Sequence, residues 1–257
     1  MARWASFPHA GEFDLDTDEV QRRWTRLHAG DAEPLPQSAA VLEAWRLFHR
    51  GEFQQAAEAG ARAGGPGELA AIKATCIHAS YLENKEKARL ELFLDASHRA
   101  EAYARREPSC ANAWALHGYA LGRYSQGISV AKALAQGLGG KVKESLERAI
   151  QLQPRHADAH IALATFHAEV IDKVGSLIGG MTYGAKKDTG LKLFEEGLRL
   201  NPNSIIGLVE YANGLVMLEG ASRMADATAL YERATSIAPM DAAERLNVTL
   251  AQAELAD

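Results

Sequence analysis

The sequence predicts an all-α fold, a solenoid of about five antiparallel helix pairs, and three observations carry that expectation. First, four amphipathic runs close on a proline: EAYARREP at 101–108, ERAIQLQP at 147–154, EEGLRLNP at 195–202 and ERATSIAP at 232–239. Proline cannot continue a helix and pushes the residue before it out of the α region, so each marks a helix end and a turn. Second, a new apolar run follows each proline within a few residues: CANAWALHGYAL, ADAHIALATFHA, SIIGLVEYANGL and AAERLNVTLAQA. Third, Ala is abundant while Val, Ile and Thr are sparse, which favours helix because β-branched side chains lose rotamer freedom there.

Taken in chain order, residues 1–36 read as an N-terminal capping segment. Asp16 or Thr17 can cap a helix through VQRRWTRLH, with Val20, Trp24 and Leu27 on one face, and GDAEPLPQS then breaks it. Trp4 and Phe7 are expected to lie on the stack. Residues 37–108 hold two degenerate helix pairs, and RGEFQQAAEAGARA at 50–63 supplies Gly51, Phe53 and Ala56. Residues 109–239 hold three further pairs. A helix pair cannot bury its apolar faces alone, so the stack must be continuous and capped. The cap at the far end is 240–257, with Leu246, Leu250 and Leu255 expected inward and Glu244, Arg245 and Glu254 outward.

Position by position the units resemble the tetratricopeptide repeat (TPR). Trp114 stands six residues beyond Pro108, and Gly118 follows at the small position where two helices approach closely. The next unit has His160, Leu163 and Ala164, and the one after it Leu208, Tyr211 and Ala212. Second helices supply Leu146 and Ala149, then Phe194 and Gly197, then Ala227, Tyr231 and Ala234. The resemblance implies a right-handed superhelix of antiparallel helix pairs whose first helices line a concave face. The prolines are 46, 48 and 37 residues apart, against about 34 in the standard unit. The surplus falls in two Gly-rich insertions that resemble one another, at about 123–141 and 168–188. Lengthened units of this kind are similar to those of TPR-type transporter T-components and microtubule-dynamics regulators.

On that concave face the resemblance places Lys73 and Tyr81, then Asn112, Tyr119 and Arg123, then Asp158, Thr165 and Glu169, and finally Asn213. Some TPR domains clamp a peptide carboxylate with Lys and Asn, but here Lys73, Asn112, Arg123 and Asn213 are scattered among Asp158 and Glu169. Such a mixed polar and aromatic groove suits a peptide or helix. The insertions offer Leu177, Ile178, Met181 and Tyr183, with Ile128, Val130 and Leu134 as counterparts. Irregular stretches of this length usually line a site or cover an edge.

No motif points to catalysis. His156 and His160 stand i,i+4, but the glutamate of a zinc-binding H-E-x-x-H is missing and His160 takes a packing slot. GLGGK at 137–141 lacks the first glycine and the hydroxyl of a phosphate loop. Cys76 and Cys110 have no metal-ligand spacing. A net charge of −5, from 28 basic and 33 acidic residues without a basic run, disfavours nucleic acid. With no secretory leader and no apolar span, the expected location is cytoplasmic. The expected function is that of a non-catalytic binding or scaffold protein, without metal or cofactor, taking a peptide, helix or protein partner in the groove. The alternative is a carrier of a small-molecule or lipid-like apolar ligand, in a pocket closed by the two insertions.

Overall fold

The structure, a computed structural model, describes residues 3–256, and among them every regular element is helical. An entry helix α1 (Thr17–Leu27) is capped by Asp16, whose carboxylate accepts the Glu19 N–H at 2.7 Å. Helices α2 (Ala39–His49) and α3 (Phe53–Ala63) pack together, as do α4 (Gly67–Tyr81) and α5 (Glu86–Arg106). The third unit runs α6 (Ala111–Gln126), a short α7 (Val130–Ala135) and α8 (Leu138–Leu152), with α6 against α8. The fourth repeats that pattern: α9 (Ala157–Val174), a short α10 (Ser176–Tyr183) and α11 (Lys187–Leu200), with α9 against α11. Helices α12 (Ile205–Glu219) and α13 (Met224–Ser236) form the last pair, followed by α14 (Ala242–Glu254).

The sequence signals act where they stand. Helices α5, α8 and α11 each end two residues before their proline, and α13 ends three before Pro239. Gly118 is needed for a close crossing, because a Cβ there would lie 2.7 Å from Leu146 and hold α6 away from α8. Trp24, Trp45, Phe48 and Phe53 fill the first part of the core, Phe93, Leu121, Leu146, Leu163 and Phe166 the middle, and Ile205, Leu208, Val209 and Tyr231 the last. Trp4 stacks on His78 at 4.3 Å, and Phe7 is buried against Phe53.

The two insertions are not irregular. Each folds as a short helix followed by a glycine in the left-handed region, Gly137 (φ +63°) after α7 and Gly184 (φ +66°) after α10, before the long second helix of its unit begins. Ser129 caps α7 by accepting the Lys132 N–H. Lys141 stands in the first turn of α8, which starts at Leu138 behind Gly137.

The far end also departs from a simple cap. Helix α14 packs on α12 and α13 and also reaches α2, so the solenoid curves until its last helix meets its first ones. Glu244, expected outward, faces α1 and binds Arg26 at 2.7 Å, while Leu255, expected inward, stays 39% exposed. Arg245 pairs with Glu12 at 3.3 Å, and the Tyr81 O–H donates to Asn247 at 2.5 Å. Asp241 starts α14 by accepting the Glu244 N–H at 2.8 Å and is buried where His49 Nδ1–H donates to it at 2.7 Å. Asp241→Ala leaves both donors without a partner in a dry place. It is expected to lower stability by about 3 kcal/mol in urea unfolding. A change within about 0.5 kcal/mol, typical of a surface site, would mean that the closure carries no load.

Candidate ligand cavity on the concave face

After α1 the chain does not run along the edge of the stack. Residues 28–33 turn into the concave face, and His28, Asp31 and Glu33 are buried. Two backbone contacts set the path: the Trp24 indole N–H donates to Glu33 O at 2.7 Å, and the Asp158 N–H donates to Gly30 O at 3.0 Å. A side chain at Gly30 would overlap the Asp158 carboxylate and push it aside, so glycine lets this strip lie on α9 with Asp158 in its present place.

Asp31 is the hub of the strip. It accepts from Lys73 Nζ at 2.5 Å, from His28 Nδ1–H at 2.9 Å and from the Glu33 N–H at 3.2 Å. His28 Nε2 lies 3.3 Å from His49 Nε2, and His49 Nδ1–H donates to Asp241, so contact between the two rings links the Lys73–Asp31 pair to α14. Asn112 Nδ2–H donates to the Glu33 carboxylate. Burial alone would raise the Asp31 pKa, but Lys73 and His28 hold it well below the usual carboxylate range. Glu33 has no cation of its own, and burial together with the Asp31 charge pushes it up to about 7. Burial likewise pushes Asp158 up to about 6 against the pull of Lys73, and pushes His28 down to about 4 despite Asp31.

Against this strip the concave face holds a half-open cavity of about 400 Å³. Its wall is mostly apolar, with Ile77 and Tyr81 from α4, Leu116, Tyr119 and Gly122 from α6, Val142 from α8, and Phe166 and Val170 from α9. Ile128, Val130 and Leu134 of the first insertion and Tyr183 of the second border the end opposite Asp31 and Glu33. A polar belt crosses the middle. Arg123 donates to Glu210 of α12, which also accepts the Thr165 O–H at 3.1 Å, and the guanidinium lies 5.3 Å from the Tyr119 ring centre. Burial disfavours the Arg123 charge, yet Glu210 outweighs it and holds its pKa well above the usual value.

Of the residues expected on the concave face, Lys73, Tyr81, Asn112, Tyr119, Arg123, Asp158, Thr165 and Glu169 line this cavity together with its plug. Asn213 does not: it accepts the Tyr231 O–H and holds α12 against α13. Of the insertion contacts only Tyr183 lines the cavity; Leu177, Ile178 and Met181 stand exposed on α10. Sequence reasoning missed Asp31, Glu33, Gly122 and Glu210. A glycine one helical turn beyond Gly118 was the available signal for Gly122; charged residues in a broken stretch gave none for Asp31 and Glu33.

The histidines hold local structure. His156 Nδ1 accepts the Ala159 N–H at 3.1 Å and caps α9, His160 Nδ1 contacts His156 O, and His167 Nδ1 accepts the Lys186 N–H at 3.1 Å. Burial pushes both His156 and His167 down to about 4. Among the described residues no three His, Cys, Asp or Glu side chains are placed to hold a metal, and no helix is long and apolar enough to cross a membrane.

Glu33 makes the plug sensitive to pH. Its folded pKa of about 7 exceeds the usual 4.5, so its contribution is complete below about pH 4.5 and is lost as pH rises through 7. His28 acts oppositely, its contribution being lost as pH falls from 6.5 towards 4. Glu33→Gln removes the first effect alone. Between pH 5 and pH 8 the variant should gain about 2–3 kcal/mol on the wild type in denaturant unfolding. Parallel stability curves would show that Glu33 titrates normally.

No family model matches the chain, and no curated protein matches it. Among solved structures, a thermophilic TPR protein of Thermus thermophilus is similar at a TM-score of 0.58 and 16% identity, over 83% of this chain and 97% of that one. At that identity the likeness concerns architecture, and it agrees with the helix pairs described above: the chain has a TPR-like, all-α helical-repeat fold.

Proposed function

We propose that the chain is a non-catalytic binding protein whose site is the concave cavity, and that its ligand is a slender, mainly apolar small molecule entering between the insertions. One observation carries this reading: residues 28–33 and α14 close one end of the concave face and leave a half-open, mostly apolar space of about 400 Å³. That is the size of ordinary small-molecule pockets, about 300–1,000 Å³. A peptide running the full length of the groove would collide with Gly30 and Asp31. The polar belt of Arg123, Glu210 and Thr165 would orient the ligand at mid-length.

Binding, rather than chemistry, suits the groups at hand. Lys73 and Arg123 are neutralised by Asp31 and Glu210, and burial pushes the Cys76 thiol up to about 12, where it is no nucleophile near neutral pH. The buried His117–Ser145 contact (2.8 Å) lies between α6 and α8, and its hydroxyl donates to Lys141 O, which fits helix packing.

A second reading keeps the same cavity and fills it with the end of a protein segment. It is supported by the repeat fold and by the belt, whose donors and acceptors suit a polypeptide main chain.

Gly122 gives a selective test. A Cβ built there meets only Val142 Cγ1, at 3.8 Å, so a larger side chain grows into the empty space. Replacing a helical glycine also removes a penalty of roughly 0.5–1 kcal/mol. Titration with the amphiphilic, anionic fluorophore 1-anilinonaphthalene-8-sulfonate should reveal one saturable site in the wild type. That site should be lost in Gly122→Phe, with the Tm unchanged or raised. Equal binding by both proteins would contradict the cavity as the site.

A further inference from the structure

Among the described residues, eight large hydrophobic side chains stand exposed, and five of them sit on the two short insertion helices. They are Val130 (42%) and Leu134 (45%) on α7, and Leu177 (74%), Ile178 (56%) and Met181 (83%) on α10. The helices α7 and α10 lie at the same end of the cavity: Val130, Leu134 and Tyr183 all line it, and the Tyr183 ring sits so close to Gly139 that a Cβ there would fall 2.7 Å from it. Exposure of this kind, gathered on one side, is what interaction surfaces show.

The charge within the two insertion segments is one-sided, although Glu86 and Glu91 of α5 line a shallow pocket with Lys132. Segments 128–143 and 173–187 contain six lysines (132, 141, 143, 173, 186 and 187) and no Asp or Glu, in a chain whose net charge is −5. Three of these lysines are tied back, Lys143 to Glu147, Lys173 to Glu169 and Lys187 to Glu219. Lys132, Lys141 and Lys186 are exposed and have no carboxylate partner among the described residues. Asp172, Glu144 and Asp188 border the segments from outside.

We propose that α7 and α10 form a docking surface for an anionic lipid bilayer, so that the mouth of the cavity opens against the membrane. Leu177, Ile178 and Met181 fall on one side of α10, and the residues between them are only glycines, so the helix can lie flat with its apolar side in the headgroup region. The free lysines then meet lipid phosphates and carboxylates. Neither signal holds a protein on a membrane alone; an apolar insertion combined with a basic patch does. The proposal stands on the exposed face and its charge and adds to the cavity reading a route by which an apolar ligand arrives.

Flotation of the full chain with phosphatidylcholine vesicles, with and without phosphatidylserine, tests it. Binding to the anionic vesicles should exceed that to neutral ones by roughly tenfold and weaken with salt. Leu177→Asp with Met181→Asp should abolish it, and Lys132→Glu with Lys186→Glu should reduce it to the neutral-vesicle level. These exposed positions should leave the Tm and anilinonaphthalene sulfonate binding unchanged. Absence of binding to anionic vesicles, or equal binding to both kinds, overturns the proposal. So does a concentration-dependent dimer lost in Met181→Asp without vesicle binding, which assigns the face to a second copy of the chain. A wild-type chain that ignores vesicles but still binds the fluorophore refutes the docking surface alone, because the cavity is scored by the fluorophore.

Discussion

A carboxylate inside a helical-repeat groove must be paired or it will not stay there, since an ionised group taken out of water without partners is among the costliest things a protein can bury. Asp31 meets that demand with Lys73, His28 and the Glu33 amide. Those partners come from α4 and from the strip itself, and the contact of His28 with His49 extends the set to α2 and, through Asp241, to α14. One buried group therefore fixes the N-terminal strip, the inner helices and the last helix relative to one another. A hydrophobic contact could slide; directional hydrogen bonds on either side of the His28–His49 ring contact hold the register. Such buried networks are weak evidence for net stability, and here the evident consequence is geometric: the superhelix curves until its ends meet.

The rest of the concave face follows from that closure. With His28–Glu33 held at one end, Glu33 sits on Asn112, Gly30 on Asp158 and Asp31 on Lys73, so three residue positions that would greet a ligand in an open groove are engaged by the chain itself. What remains open lies toward the insertions and is mostly apolar, with charge held in the Arg123–Glu210 and Lys173–Glu169 pairs. The two ends differ in chemistry: an acid-rich plug with raised carboxylate pKa values at Glu33 and Asp158, and an apolar rim with lysines around it. That polarity favours entry from the rim.

The parts of this arrangement set by local rules were legible in the sequence. Proline ends four helices, Asp16 caps α1, and Gly118 lets α6 approach α8. Tyr119, Arg123, Thr165 and Glu169 recur on one stripe of their helices, and they do line the cavity. Stripe and phase are different things, however. On α12 the same reasoning chose Asn213, whereas Glu210, one turn earlier, faces the cavity and Asn213 holds Tyr231. Apolarity likewise shows that Leu177, Ile178 and Met181 want company without showing on which side they will find it. Asp31, Glu33 and Glu244 were least legible of all. Charged residues in a turn or a terminal helix read as solvated, and only the path of the whole chain brings Lys73, Asn112 and Arg26 to them.

Closure of the solenoid by its own N-terminal strip is most directly tested by native-state hydrogen exchange, resolved at single amides. The Ala32 and Glu33 amides bond within the strip, and the Asp158 amide bonds to it from α9. If the Asp31 network is an integral part of the fold, these three exchange as slowly as the core amides of α4 and α6 and open with them as one unit. Rapid exchange of Ala32 and Glu33, with α4 and α6 still protected, would mean that the strip leaves the groove freely, and the closed cavity would not be the resting form of the protein.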